Sequence, residues 1–418
     1  MLLFSVFILS LCGIIYELVL GSLASYLLGN PVLQYSITIG VFLSSMGLGS
    51  YLSRFITGAI LPVFIRVEII LGLTGGLSVV ILNSFFSFSG SFYALHVFFL
   101  VLVGTLVGLE IPLLTRILKS YGALKDIISN VLSFDYIGGL AGSLLFPLIL
   151  FPFAGRFLTS LIVGMVNILV AIIVMAVIDY GRKSRDILFA AVSLTVLLSM
   201  ALNSAWFDAV IQKKMFYDDI VFSKRTKYQE IVLTRNGDDF RLYLDGSLQF
   251  STSDEYRYHE MLVFPALTAH NNPRNVLVMG GGDGLAVREA LKFSPVKNVT
   301  LVELDAAMTY LAVNNSTMSR INCNSLKDPR VNVVTGDAYD YLRRNSLKYD
   351  VIIADFPDPH DETVSKLYTV EFFMLVKRSL GKDGIFVTQS TSPLFAREAF
   401  WCVNSTMKQV FASVVPYH

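Results

Sequence analysis

Apolar residues run in long unbroken stretches through the first half of the chain. In the second half they fall into short runs separated by turn residues. A helix that crosses a bilayer needs about 20 consecutive, largely apolar residues. Seven stretches meet that length: roughly 3–28, 34–56, 67–88, 92–115, 128–151, 157–178 and 187–206. The pattern predicts a multi-span α-helical membrane domain over residues 1–206. Glycines recur about one turn apart at Gly47 and Gly49, at Gly72 with Gly75 and Gly76, at Gly104 and Gly108, and at Gly138, Gly139 and Gly142. That spacing lets helices approach closely in lipid.

From about Tyr217 the period changes. Residues 217–252 alternate in short runs, and Asn236-Gly237 and Asp245-Gly246 are hairpin-turn candidates. A small antiparallel β unit is expected, followed by a helix from Asp254 to Leu267 with Ser253 or Asp254 as N-cap. Strands then alternate with helices. The strands are read at Asn275–Gly280, Asn298–Glu303, Val331–Gly336, Asp350–Asp355 and Gly384–Gln389, with a sixth beginning at Ala412–His418. Such alternation predicts an α/β Rossmann-like, methyltransferase-type doubly wound parallel sheet. The expected domains are 1–206 (transmembrane), 207–267 (linker, β unit and helix) and 268–418 (nucleoside-binding catalytic domain).

Charge follows the same division. Residues 1–206 hold 9 Lys or Arg and 7 Asp or Glu, and the remaining residues hold 24 and 25. A net charge of +1 gives no general attraction to nucleic acid. Cys12, Cys323 and Cys402 have no metal-ligand spacing, and their odd number argues against a disulfide framework. The N-terminus lacks a basic region and a small-residue cleavage site, so a cleaved signal peptide is not expected. Glu17, Glu110 and Asp135 fall inside apolar stretches. Such groups mark either a pathway or a polar contact inside the bundle. Glu110, followed by Ile111-Pro112 near a span end, favours the polar contact.

The chemistry sits at the carboxyl ends of the strands, where ligands bind in such sheets. Strand one runs into Gly280-Gly281-Gly282-Asp283-Gly284, strand two ends in Glu303, strand three in Gly336-Asp337, strand four in Asp355 and strand five in Gln389. An acidic residue about 20 residues beyond a glycine loop suits a ribose diol. Asp283 within the loop would repel a pyrophosphate, so a nucleoside such as an adenosyl sulfonium fits better than NAD. Asp355-Phe356-Pro357-Asp358-Pro359 places two carboxylates three residues apart in a stiff loop. Paired carboxylates there can bind a cationic amine and take its proton. A solvated acidic turn is the plainer alternative.

On these residues the chain resembles the spermidine synthase (polyamine aminopropyltransferase) family, in its membrane-fused form. The matching text is Tyr228-Gln229, Leu244-Asp245-Gly246 with Gln249, Asp254-Glu255 with Tyr258-His259-Glu260, Gly280–Gly284, Glu303-Leu304-Asp305, Asp328-Pro329-Arg330-Val331, Gly336-Asp337-Ala338 and Asp355 with Asp358-Pro359. The resemblance implies transfer of an aminopropyl group from decarboxylated S-adenosylmethionine to putrescine, giving spermidine and methylthioadenosine. It implies Asp355 as proton acceptor, and Tyr258, His259, Asp283 and Asp358 as amine-binding residues. Gln229, Gly280, Gly282, Glu303, Asp337 and Ala338 become nucleoside contacts. No metal or cofactor is expected beyond the nucleoside co-substrate. The partners expected are the two small substrates and the membrane, without nucleic acid; a homo-oligomer stays open.

Two departures stand out. Phe356 follows the catalytic aspartate where the family often has a small or polar residue. The chain stops in what reads as a strand, so a catalytic domain cut short at its sheet edge is expected. Two other functions stay open: a small-molecule methyltransferase, and a polyamine-binding membrane transporter or sensor. Orientation is in tension with the chemistry. Arg54 and Arg66, then Arg116, Lys119 and Lys125, then Arg182, Lys183 and Arg185 follow the even-numbered spans, whereas the alternate loops hold only Arg156. Basic loops face the cytoplasm. With seven crossings the catalytic half would lie outside, away from a cytoplasmic donor. The expectation is a cell-membrane protein with a cytoplasmic catalytic half, and six or seven crossings. With six, 187–206 would lie in the interface or re-enter.

Overall fold

The computed structural model describes residues 2–86, 92–119, 123–178, 180, 183–204, 206–207, 216–359 and 362–417. The chain divides into two compact units, Met1–Tyr217 and Asp218–His418.

Among the described residues of the first unit, six continuous helical segments are long and apolar enough to cross a membrane. They hold α1 (Leu2–Leu28), α2 (Pro31–Leu52), α3 (Ile60–Phe86), α4 (Phe92–Leu118), α5 (Leu124–Leu145) with α6 (Phe151–Val177), and α7 (Lys183–Leu202). A π-helical turn at Phe146–Leu150 joins α5 to α6, so this segment runs 54 residues, Leu124–Val177. At 1.5 Å per residue that is about 80 Å, far beyond one ~30 Å hydrocarbon core. The break expected at about 151–157 is therefore a bend and not a loop. Its hinge is Gly155, at φ 66° and ψ −172°, a conformation open to glycine.

Glycine contacts fix the helix directions. A Cβ at Gly138 would strike the Phe7 carbonyl, and one at Gly142 the Leu11 carbonyl, so α1 and α5 run parallel. Gly104 lies on Phe42 and Ser45, and Gly108 on Met46, so α2 and α4 run parallel too. Gly72 meets Ile168 and Ser160 donates to the Gly76 carbonyl, so α3 and α6 are antiparallel. Gly47 alone of the expected packing glycines on α2 has open space around it. α7 runs parallel to α3, with Arg66 paired to Asp186 at 2.8 Å at one end and Leu197 against Gly76 at the other. α7 lies alongside α3 as a member of the bundle.

In the second unit β1 (Asp219–Arg225), β2 (Glu230–Asn236), β3 (Asp239–Leu244) and β4 (Ser247–Ser251) form an antiparallel meander. Asp245 and Gly246 both have positive φ, 48° and 79°, as a tight hairpin turn demands. The helix α8 (Glu255–Ala269) follows; Asp254 stands at its N-cap position without a side-chain capping bond.

The parallel sheet has the order β7-β6-β5-β8-β9. Its strands are β5 (Asn275–Gly280), β6 (Asn298–Glu303), β7 (Val331–Thr335), β8 (Tyr349–Asp355) and β9 (Leu380–Thr388). The helices of six or more residues that follow are α9 (Leu285–Leu291), α10 (Ala306–Asn314), α11 (Ser316–Ile321), α12 (Ala338–Arg344), α13 (Val370–Ser379) and α14 (Arg397–Lys408). Alternate residues of each strand feed opposite faces. Val276, Val278, Leu301, Val351 and Ile353 pack with α8 and α9. Leu277, Met279, Val302, Ile352 and Ala354 pack with Leu342, Phe372 and Phe373. Burial on both faces explains the unbroken apolar runs of these strands. The sixth strand expected at Ala412–His418 is not formed over its described residues: they pair with no strand, and the Tyr417 hydroxyl instead donates to the Met261 carbonyl at 2.9 Å.

Candidate active site

The strand order puts the glycine loop after β5 between the ends of β6 and β8. Gly280 (φ 75°) and Gly281 (φ 63°) lie against Asp355, whose carbonyl a Cβ at Gly280 would strike. A Cβ at Gly281 would sit 2.6 Å from Asp355 Oδ2, and one at Gly282 2.7 Å from Glu303 Oε2. Only glycine permits both the dihedrals and the approach. The loop therefore runs flush against two carboxylates, with Asp283 at its far end.

Asp355 receives a hydrogen bond from the Tyr258 hydroxyl, at 2.6 Å to Oδ1. Tyr258 and His259 share the N-terminal part of α8 with Glu255. The Glu255 carboxylate accepts from His259 Nδ1 at 2.8 Å and pairs with Arg288 of α9 at 2.8 and 2.9 Å. Burial alone would push the His259 imidazole down. The Glu255 hydrogen bond and the charges of Asp283 and Asp355 outweigh it, and the group stands at about 8. A buried imidazolium therefore sits among the carboxylates at neutral pH. Asp283 is 9% exposed and accepts from the Leu285 amide at 2.8 Å. Burial raises its carboxyl to about 6, with His259 opposing and Asp355 adding.

Glu303 turns both oxygens onto backbone: Oε2 accepts from Gly282 N at 3.1 Å and Oε1 from Asp305 N at 2.9 Å. Burial raises it to about 7 against those two bonds. Asp305 in turn accepts from Thr226 Oγ1 at 2.8 Å and Gln229 Nε2 at 3.3 Å, which fixes Gln229 near the end of β6. On the other side, Gln389 Nε2 donates to the Phe356 carbonyl at 2.7 Å and to Asp358 Oδ1 at 3.0 Å. Gln389 thereby braces the stiff loop from the end of β9. Phe356 is 7% exposed and packs edge-on against Phe372. It belongs to the core and leaves the space over Asp355 to other side chains.

Of the expected residues, the structure gathers Tyr258, His259, Asp283, Asp355, Gly280, Gly282 and Glu303 around one loop, with Gln229 and Asp358 braced at its edges. Asp337 stands apart at the end of β7. Its Oδ1 caps α12 through the Tyr339 and Asp340 amides, and its Oδ2 pairs with Lys366 at 2.7 Å. Ala338 begins that helix and is buried. Four organising residues received no role from sequence: Glu255, Arg288, Asp305 and Gln389. The i, i+4 spacing of Glu255 and His259 is the signal that would have found the first.

Residues 255–418 match the spermine/spermidine synthase domain. A polyamine aminopropyltransferase of Leptospira interrogans is 44% identical over 419 residues, covering 99% of this chain and 84% of that one. The chain belongs to the polyamine aminopropyltransferase family. Polyamine aminopropyltransferase 2 of Ralstonia nicotianae is 41% identical over 427 residues, covering 100% of this chain and 84% of that one. Both alignments run through the apolar helices as well as the aminopropyltransferase unit. A spermidine synthase structure in complex with the transition state analogue AdoDATO is 31% identical over 47% of this chain and 66% of that one, at a TM-score of 0.45.

Proposed function

We propose that this aminopropyltransferase moves the aminopropyl group of decarboxylated S-adenosylmethionine to putrescine, releasing spermidine and methylthioadenosine. The observation that carries the reading is the junction at Asp355, where the end of β8, the glycine loop and the Tyr258 hydroxyl meet. Tyr258 occupies Asp355 Oδ1 and leaves Oδ2, beside Gly281, to accept a proton from the acceptor amine. The freed amine nitrogen then attacks the carbon next to sulfur, and the C–S bond breaks as the new C–N bond forms. The sulfonium is already a good leaving group, so orientation and deprotonation are what remains, without a metal or organic cofactor.

Asp283 meets the ammonium of the donor's aminopropyl arm, Glu303 the ribose hydroxyls, and Gln229, Gly280 and Gly282 line the nucleoside. Asp337 and Ala338 contribute to the adenine end through the start of α12. Asp358, Tyr258 and His259 frame the acceptor amine. Incubation of the full-length protein with putrescine and a donor labelled in its aminopropyl arm is expected to place the label in spermidine. Label that stays in the donor would refute the reading.

A pH dependence follows from Glu303. It is a carboxylate above about 7 and protonated below, and only the carboxylate accepts from both ribose hydroxyls. The donor KM is therefore expected to rise as pH falls from 8 to 6, and Glu303→Gln to flatten the profile while raising KM throughout. An unchanged profile in Glu303→Gln would assign the titration elsewhere.

The first unit is proposed to cross the cell membrane, with the catalytic unit in the cytoplasm, where the donor is made. Arg66 is paired with Asp186, and Arg116 donates to the Ser53 and Ile56 carbonyls at 3.0 and 2.9 Å. These two basic side chains also serve helix contacts, so their positions have a packing role beside any orienting one. If all seven stretches cross, reporter fusions after Lys183 should read outside and fusions after Tyr217 cytoplasm. The reverse pattern would place the catalytic unit outside.

A further inference from the structure

The turn after α11 lies well away in sequence from the residues read as binding or catalytic, yet its side chains reach the glycine loop. α11 ends at Ile321, and the Asn322 amide closes it on the Met318 carbonyl at 2.9 Å. Cys323 (φ 55°) and Asn324 (φ 54°) then take left-handed backbone in succession, where a helix end usually has glycine or asparagine. The Asn324 amide bonds back to the Ser319 carbonyl at 2.8 Å, and the Ser325 amide to that of Asn322 at 3.0 Å. The turn closed in this way buries Asn322 and Ser325, at 0% and 3% exposed.

Both side chains end on the backbone of the loop that carries Asp283. Asn322 Nδ2 donates to the Asp283 carbonyl at 2.8 Å and to the Ala312 carbonyl of α10 at 3.1 Å. Both partners are carbonyls, so only the NH2 end of the amide can face them. Ser325 Oγ donates to the Gly284 carbonyl at 2.7 Å, which also takes the Arg288 amide at 2.9 Å. Gly284 has φ 84°, and a Cβ there would sit 2.8 Å from Ser325 Oγ, so the serine is packed against the loop as well as bonded to it. The Asp283 side chain is anchored in turn by the Leu285 amide, at 2.8 Å to Oδ1. Two successive carbonyls and one carboxylate oxygen are thus held at once. The nucleoside end of the loop is held separately, at Gly282 by Glu303.

We propose that Asn322 and Ser325 are positioning residues for donor selectivity: by holding the Asp283 and Gly284 carbonyls they aim the Asp283 carboxylate at the ammonium of the donor's aminopropyl arm. The proposal rests on the reading of Asp283 as the partner of that ammonium. In a well-aligned site a displacement of about 1 Å can cost roughly a hundredfold. Loss of either brace frees a carbonyl next to, or within, the residue whose charge does the selecting, while the contacts of Glu303 with Gly282 and Asp305 stay in place.

The test is calorimetry on the full-length protein in lipid nanodiscs with three ligands: decarboxylated S-adenosylmethionine, S-adenosylmethionine and methylthioadenosine. The last has no ammonium and reports the nucleoside end alone. Asn322→Leu and Ser325→Ala are each expected to weaken the decarboxylated ligand about tenfold and to leave methylthioadenosine within about twofold, so the ratio of the two affinities falls. Ser325→Ala removes one hydroxyl and nothing else, so it tests the proposal even where Asn322→Leu does not fold. A merely structural role would lower the fraction of protein that binds, or weaken both ligands together, and would leave the ratio as it is. An unchanged ratio in both variants, or in Ser325→Ala where it alone folds, overturns the proposal. A shift in one variant only keeps that residue and removes the other. Wild-type protein that binds decarboxylated S-adenosylmethionine and S-adenosylmethionine alike removes Asp283 as the ammonium partner, and the proposal falls with it. A wild-type preference with unchanged ratios in the variants overturns the proposal alone.

Discussion

Asp355→Asn is expected to lower kcat by about 10²–10⁴, the usual worth of a general base, while leaving donor affinity within a few-fold of wild type. The amide keeps the shape of the side chain and can still meet the Tyr258 hydroxyl at Oδ1. It cannot take a proton from the acceptor amine. The proposed nucleoside contacts at Glu303 and the glycine loop are held by backbone bonds from Gly282 and Asp305 to Glu303, which do not involve the Asp355 carboxylate. Pre-steady-state product formation at neutral pH, with donor binding measured in parallel, separates the two effects. A near-normal rate would remove Asp355 as the base. A parallel loss of donor binding would make its role structural.

The second large effect concerns the donor. Decarboxylated S-adenosylmethionine is expected to bind roughly tenfold to a hundredfold more tightly than S-adenosylmethionine, the span of a charge-assisted hydrogen bond. Asp283 lies 9% exposed beside Asp355 and His259. Binding an ammonium there neutralises a carboxylate that is otherwise desolvated, whereas a substrate carboxylate would add like charge to it. Asp283→Asn should bring the two affinities together, mainly by weakening the decarboxylated ligand. Calorimetry with both ligands on both proteins checks this. Equal affinities in the wild type would count against Asp283 as the ammonium partner.

Much of this site was legible because parallel-sheet chemistry concentrates at strand ends. β5 and β6 fall where their apolar runs begin and end, at Asn275–Gly280 and Asn298–Glu303, and strand ends carry the polar groups by construction. The braces were harder to see. Arg288 and Glu255 are distant in sequence and meet only once α8 and α9 pack. Asp305 reads as a helix cap until the β unit brings Thr226 and Gln229 onto it.

In the first unit the errors were of boundary. The apolar pattern starts the third stretch at 67, which leaves Glu68 at its edge; α3 begins at Ile60, so Glu68 lies two turns inside. The break between α5 and α6 was misread as a loop, because a π turn carries the helix through Pro147 and Pro152 to Gly155. At the C-terminus, apolar residues suggested a strand where no neighbouring strand offers a ladder.

One measurement bears most directly on the central claim: product analysis of the purified full-length protein with putrescine and each donor in turn. With decarboxylated S-adenosylmethionine, spermidine and methylthioadenosine should appear in equal amounts. With S-adenosylmethionine, no methylated amine should form. Methylated putrescine from S-adenosylmethionine, without spermidine from the decarboxylated donor, would contradict the account.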